Sequence, residues 1–194
     1  ATLHADSLVA GTRTRGVHTQ LSAFVYTAVS IHKSKGVRLK TSQWRRIPDN
    51  SIPSRAKVNG AYVNSVLAHQ DALDAGYDDC IFLDQSGHVC ELSAANIFMV
   101  RDGTLITPDT SNDLLEGINR HAILEFAKKE GITVQERTVD LTELYIADEV
   151  FICGTSAFLA SVSEIDGRKI TGGNPITTKI AKHHAEILQS SDKL

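Results

Sequence analysis

Ser54-Arg55-Ala56-Lys57-Val58-Asn59-Gly60-Ala61-Tyr62-Val63-Asn64-Ser65 is the stretch around which the rest of this 194-residue chain arranges itself. Pro53 before Lys57 and the Asn59-Gly60 pair after it mark irregular backbone, so a single amine stands on a loop. Upstream, Val37 to Trp44 alternates apolar and polar residues as a strand, and Pro48 and Pro53 open the loop. Downstream, Ala61 to Ala75 has a helical pattern stopped by Gly76. An amine held on a short loop, partly shielded from water, can lose its proton near neutral pH and attack a carbonyl. The alternative is a solvated surface lysine.

Working outward, residues 1–16 lack periodicity, and Gly11 to Gly16 looks like loop. From Leu21 the apolar positions Leu21, Phe24, Val25, Ala28 and Val29 with His32 predict a helix stopped by Gly36. After the Lys57 unit come short strands: Cys80–Asp84, His88–Glu91, Asn96–Val100 and Leu105–Ile106, with turns at Gln85-Ser86-Gly87 and Asp102-Gly103. Ile118, Ala122, Ile123, Phe126 and Ala127 predict a second helix ended by Gly131. Val134 to Thr138 reads as strand and Leu141 to Ala147 as a short helix. Glu149 to Cys153 is an apolar strand, followed by Gly154-Thr155-Ser156-Ala157 and another strand to Ile165. Ile176, Ile180, Ile187 and Leu188 share one face of a last helix. Clustered strands with helices between them predict a mixed-sheet α+β domain rather than a doubly wound fold.

Composition bounds the function. The chain is 42% apolar and 22% charged, with net charge −3, which argues against a nucleic-acid partner. No apolar run approaches the ~20 residues needed to span a bilayer, and Ala1 to Thr14 has no signal-peptide pattern. Cys80, Cys90 and Cys153 each lie in an apolar strand-like run, as buried thiols in a reducing, cytoplasmic compartment would. The eight histidines form no metal-ligand spacing, and His183-His184 reads as a solvated helix face. No metal site is expected.

Four segments could make one site for an anionic cofactor. The loop supplies Lys57. Gly117-Ile118-Asn119-Arg120 opens a helix, where free N–H groups and the helix dipole favour a phosphate. Gly154-Thr155-Ser156-Ala157 follows a strand and offers close backbone approach and two hydroxyls. Glu91 ends a strand, where a buried carboxylate would need a cationic or N–H partner. Each has a structural alternative: a turn for Glu91, a helix cap for Gly117, a tight strand exit for Gly154.

From about Gly36 the chain resembles the larger, C-terminal domain of the class IV (fold-type IV) pyridoxal-phosphate aminotransferases. The stretches that carry the resemblance are Thr41-Ser42-Gln43-Trp44-Arg45-Arg46-Ile47, Ala56 to Ser65, Gly76-Tyr77-Asp78-Asp79, Leu83-Asp84, and Glu91 through Asn96-Ile97-Phe98. They continue with Leu105-Ile106-Thr107-Pro108, Gly117 to Arg120, Ala147-Asp148-Glu149-Val150-Phe151 and Gly154-Thr155. Trp44-Arg45-Arg46-Ile47 looks most like the branched-chain enzymes of that family.

The resemblance implies that Lys57 holds pyridoxal 5'-phosphate as a Schiff base and shuttles a proton, and that Glu91 pairs with the pyridine nitrogen. It implies that Tyr62 lies near the cofactor's phenolic oxygen, with a core-facing aromatic as the alternative. Gly117, Ile118 and Asn119 match the phosphate-binding turn and Gly154 and Thr155 a second phosphate contact, while Ser156 and Ala157 lie where backbone N–H groups of the family meet phosphate or the substrate carboxylate. Asn119 stands where most relatives have threonine; its amide still donates. The family also has a smaller N-terminal domain, which contributes an arginine to the phosphate. This chain is expected to lack it: residues 1–20 read as a remnant or interdomain segment, 21–194 as the cofactor-binding domain. Arg13 or Arg15 is then the only candidate for that arginine. The implied activity is transfer of an amino group from a branched-chain amino acid to 2-oxoglutarate by a cytoplasmic homodimer. A D-amino-acid aminotransferase, an aminodeoxychorismate lyase and a non-catalytic relative are the alternatives.

Overall fold

Alternation at period two builds most of the molecule, because successive side chains of a strand face opposite sides. The computed structural model describes residues 1–6, 15–27, 30 and 36–191, with side chains through 186. In chain order the elements are β1 (Thr2–Ala5), β2 (Thr19–Ser22), β3 (Val37–Arg45), α1 (Tyr62–Asp74), β4 (Asp79–Leu83), β5 (Val89–Leu92), β6 (Asn96–Arg101) and β7 (Thr104–Thr107). There follow α2 (Ile118–Lys129), β8 (Val134–Glu136), α3 (Leu141–Leu144), β9 (Glu149–Gly154), β10 (Phe158–Ile165), β11 (Arg168–Lys169) and α4 (Pro175–Ser191).

Among the described residues, nine strands form one mixed sheet in the order β5-β4-β3-β10-β9-β6-β7-β8, with β11 paired to β10. The β3–β4, β3–β10 and β7–β8 pairs are parallel and the others antiparallel. Ile81 and Leu92 near one end of that order share a core with Ile97 and Ile106 toward the other and with Ile152 between them. The sheet is therefore curled around one apolar interior. The alternate residues face outward onto helices. Phe98 and Phe151, stacked at 4.9 Å, pack with Ile123, Leu124 and Ala127 of α2 and Ile180 of α4. Cys80, Phe82 and Cys90 pack against Ala68 and Ala72 of α1.

The expected α+β class and nearly all the expected elements are present. Helix α1 ends where expected: Gly76, at φ +81°, donates its N–H to Leu73 O at 2.9 Å. All three cysteines are free and buried. Burial pushes their thiols up, that of Cys153 to about 12. Among the described residues, no helix is long and apolar enough to cross a membrane.

Four expectations are corrected. The helix expected from Leu21 is absent over its described part: Thr19–Ser22 is a strand paired with Thr2–Ala5, Leu21 opposite Leu3, and residues 23–27 are not helical. Pairing between strands supplies hydrogen bonds that a local helical pattern cannot foresee, and Phe24, Val25 and Tyr26 are exposed rather than core-facing. Ala28, Val29 and His32 lie outside the described residues, as do Gly11 to Thr14. The same pairing makes strand out of Thr2–Ala5, where loop was expected. Helix α3 stops at Leu144 rather than at Ala147. His183 and His184 do not form a solvated face: His183 stacks on Phe126 at 3.8 Å and His184 is buried, because α4 packs on α2.

Candidate active site

Strand β3 delivers the chain to the Lys57 loop, and local hydrogen bonds shape that loop. Ser51 N–H donates to Pro48 O at 2.8 Å, and Ala56 N–H to Pro53 O at 3.1 Å. Ser54, buried, donates its N–H and hydroxyl to Asp49 Oδ1 at 2.9 and 2.8 Å. These bonds hold the Asp49 carboxyl below the usual carboxylate range. A 3-10 turn at Asn59–Ala61 then reverses the chain into α1, bringing the first helical residue back over the lysine. Lys57 Nζ donates to the Tyr62 hydroxyl at 2.5 Å and lies 4.8 Å from the centre of the Tyr62 ring. Lys57 is exposed, so the shielding expected from the sequence is not supplied by the described residues.

Glu91, on β5, is buried at 5% exposure. Its Oε1 accepts Arg46 Nη2 at 2.9 Å, and its Oε2 accepts Asn96 Nδ2 and Leu115 N–H, each at 3.2 Å. The cationic and N–H partners that such a carboxylate requires are thus both present. Burial pushes its carboxyl up to about 7, against the opposing pull of Arg46, the Leu115 N–H and the Lys57 charge.

The two glycine turns close on the same place through Asn96. Gly117, at φ −68° and ψ 140°, precedes α2 and brings no side-chain cap to the first-turn N–H groups. A Cβ at Gly117 would collide with Asn96 Oδ1, the residue that also donates to Glu91. Asn96 lies opposite Cys153 in the β6–β9 register, so Gly154 follows directly alongside. A Cβ at Gly154 would come within 3.0 Å of Ala94 O. A side chain at Gly117 would therefore have to displace Asn96, and one at Gly154 would crowd the Ala94 carbonyl. Ile118 stands 85% exposed at the helix start, Asn119 is half-buried, and Arg120 is buried, donating to Pro108 O at 2.8 Å and to Glu136 at 3.0 Å. Thr155 and Ser156 are exposed and Ala157 is buried. Phe158 closes that turn at φ +53°, a backbone state unusual for an aromatic residue and of the kind stored at functional loops. Ser30 Oγ donates to Ala157 O at 3.3 Å.

Sequence reasoning gave no role to Arg46 or Asn96. Arg46 stands next to Trp44-Arg45, and only burial of Glu91 marks which arginine turns inward. Asn96 is legible as the first residue of a strand and as part of the Glu91–Phe98 stretch, but neither signals its contact with Glu91. Of the two N-terminal arginines, Arg13 lies outside the described residues and Arg15 is exposed in a turn.

A curled mixed sheet with an amine on a loop, a buried carboxylate and two glycine turns defines a class of protein. Residues 2–165 match the Amino-transferase class IV family, and the chain belongs to it. Its relatives include the probable branched-chain-amino-acid aminotransferase of Aquifex aeolicus, 51% identical over 154 residues, which are 78% of this chain and 50% of that protein. The branched-chain aminotransferase of Thermoproteus uzoniensis, solved with norvaline, superposes with a TM-score of 0.92 at 37% identity, covering 95% of this chain and 62% of that one. The branched-chain amino acid aminotransferase of Thermobaculum terrenum, solved in its PLP-form (holo-form), gives 0.78 at 37% identity, over 82% of this chain and 53% of that one. The chain spans about half the length of the curated relatives it matches.

Proposed function

We propose that this chain forms the cofactor-binding part of a pyridoxal-phosphate-dependent aminotransferase that exchanges the amino group of a branched-chain amino acid with 2-oxoglutarate. The observation that carries this reading is the combination of a loop amine held by Tyr62 and a buried, arginine-held carboxylate at Glu91. The kinship with branched-chain aminotransferases, one of them solved with PLP and another with norvaline, supports both cofactor and amino-acid class.

The donor set fits the cofactor. Lys57 offers the amine for its aldehyde, and Tyr62 a hydroxyl for its phenolic oxygen. Glu91, lifted by burial into the neutral range, can share a proton with a ring nitrogen. The uncapped N–H groups of Ile118 and Asn119 after Gly117, with Gly154 and Thr155, suit a phosphate. Ser156 and Ala157 suit a substrate carboxylate. Bound there, pyridoxal phosphate supplies the carbonyl that carries nitrogen and the ring that takes up electrons when the substrate Cα loses its proton.

The chain's own residues do the rest. Lys57 would hold the cofactor at its aldehyde carbon, and its amine is the group that would move a proton at the substrate Cα. Tyr62 accepts a hydrogen bond from Lys57 Nζ and so fixes where that amine points. Arg46, Asn96 and the Leu115 N–H keep the Glu91 carboxyl in place.

A homodimer in the cytoplasm belongs to this reading, the three free buried thiols supporting a reducing compartment. So does a division between an N-terminal segment and the rest; the β1–β2 pair, a sheet of its own, supports that division after Ser22 rather than at residue 20, which would cut β2. The test is amino-group transfer from leucine to 2-oxoglutarate by the intact protein. Lys57→Ala is expected to abolish it; turnover at the unaltered rate would remove Lys57 from the chemistry. Sedimentation equilibrium checks the dimer.

A further inference from the structure

Lys57 and the start of α2 would grip two ends of one small molecule, yet they belong to surface loops far apart in sequence. Something must set their separation. The Arg55 guanidinium reaches from the lysine loop into the segment that leads to α2. Its Nε donates to Glu116 Oε1 at 2.7 Å and its Nη2 to Thr110 O at 3.0 Å, while Nη1 lies 3.4 Å from Asp49 Oδ1. Arg55 stands two residues before Lys57, and Glu116 directly precedes Gly117. The same two segments meet again where Asp49 N–H donates to Asp113 Oδ1 at 2.9 Å. Asp113 is held at φ +56°. No burial explains this junction: the side chains of Arg55, Asp49 and Glu116 are 51%, 47% and 49% exposed.

We propose that Arg55 is a positioning residue, a clamp that fixes the distance between the Lys57 amine and the open N-terminus of α2. The inference rests on the functional reading above. A single exposed ion pair does little for stability. A planar guanidinium with three partners on two loops instead imposes geometry, which a lysine's single ammonium cannot reproduce. Its loss should leave the fold intact and the amine reactive. What should suffer is the match between the amine and the phosphate cradle.

The test compares pyridoxal phosphate with pyridoxal, which has the same aldehyde and no phosphate. The intact protein is titrated with each, reduced with borohydride, and the modified fraction of Lys57 read by peptide mass. In the unaltered protein the phosphate form should half-modify Lys57 at a lower concentration. In Arg55→Ala that advantage should shrink about tenfold, as expected for a small misplacement of reacting groups. The pyridoxal curve and the urea midpoint should not move. Glu116→Gln should act in the same direction, Arg55→Lys should leave most of the loss in place, and salt should erode the advantage more steeply in the unaltered protein than in Arg55→Ala. An undiminished advantage in Arg55→Ala overturns the clamp and leaves the functional reading standing. A lowered urea midpoint with both curves weakened overturns it too, by making Arg55 a support of the fold. No modification of Lys57 in the unaltered protein overturns the functional reading and the clamp with it.

Discussion

Glu91 and Arg46 form a buried charged pair, and such a pair is costly to break from one side. Arg46→Ala would leave the carboxyl buried without its cation, at an expected cost of about 3–5 kcal/mol, measurable as a lowered urea midpoint. Glu91 also makes stability depend on pH in a direction opposite to that of most carboxylates. Its carboxyl rises from 4.5 to about 7 on folding, so between those values the folded chain holds a proton that the unfolded chain releases. That contribution is complete below about pH 4.5 and lost as pH passes through about 7. In the protein without cofactor, Glu91→Gln should flatten this part of the profile, as thermal melts from about pH 4.5 to 8 would show. In the intact protein with cofactor, Glu91→Ala should slow amino-group transfer severely, and it should also lower the urea midpoint because it leaves Arg46 buried without its anion. An unslowed rate would take Glu91 out of the chemistry.

At the scale of elements, α4 illustrates how a helix is attached. Glu149, buried at the start of β9, accepts the N–H groups of Ile176 and Thr177 at 3.1 and 2.7 Å, satisfying two of the free donors of the first turn of α4. Glu149→Ala should cost about 2–3 kcal/mol and speed hydrogen exchange selectively in α4. On the opposite flank, burial holds the His184 imidazole below its ordinary value, with the His183 charge a lesser cause. The unfolded chain therefore takes up a proton more readily than the folded one, and docking of α4 weakens as pH falls through about 6.5. Exchange rates of the α4 amides at about pH 7.5 and 5.5 test this. The two histidines also show why a helical pattern alone misleads: periodicity identified α4, but not that a second helix would lie against its polar-looking face. The N-terminal hairpin teaches the converse. Leu21, Phe24 and Val25 are spaced for a helix, yet Thr19–Ser22 pairs with Thr2–Ala5 across a gap in sequence that no local pattern spans.

At the scale of the whole molecule, the curl of the sheet matters most, because it places β5 and β6 side by side and with them Glu91 and Asn96. Ile152, on β9 in the middle of the sheet, is fully buried in the shared core. Ile152→Ala should cost about 2–5 kcal/mol and lower the urea midpoint of the whole domain, because the cavity it leaves cannot collapse among strands.

The sequence by itself determined the α+β class, the type and order of the elements from Val37 onward apart from the short β11, and the stretches that carry family membership. Those features depend on neighbours within a turn or a strand: period two, period 3.6, and the glycine and proline stops. The tertiary structure alone decided which charges meet. That Arg46 rather than Arg45 holds Glu91, that Asn96 joins Glu91 to the Gly117 turn, and that Arg55 spans two loops depend on distances between segments remote in sequence. Those distances are set by the register and curl of the sheet, which no local pattern encodes.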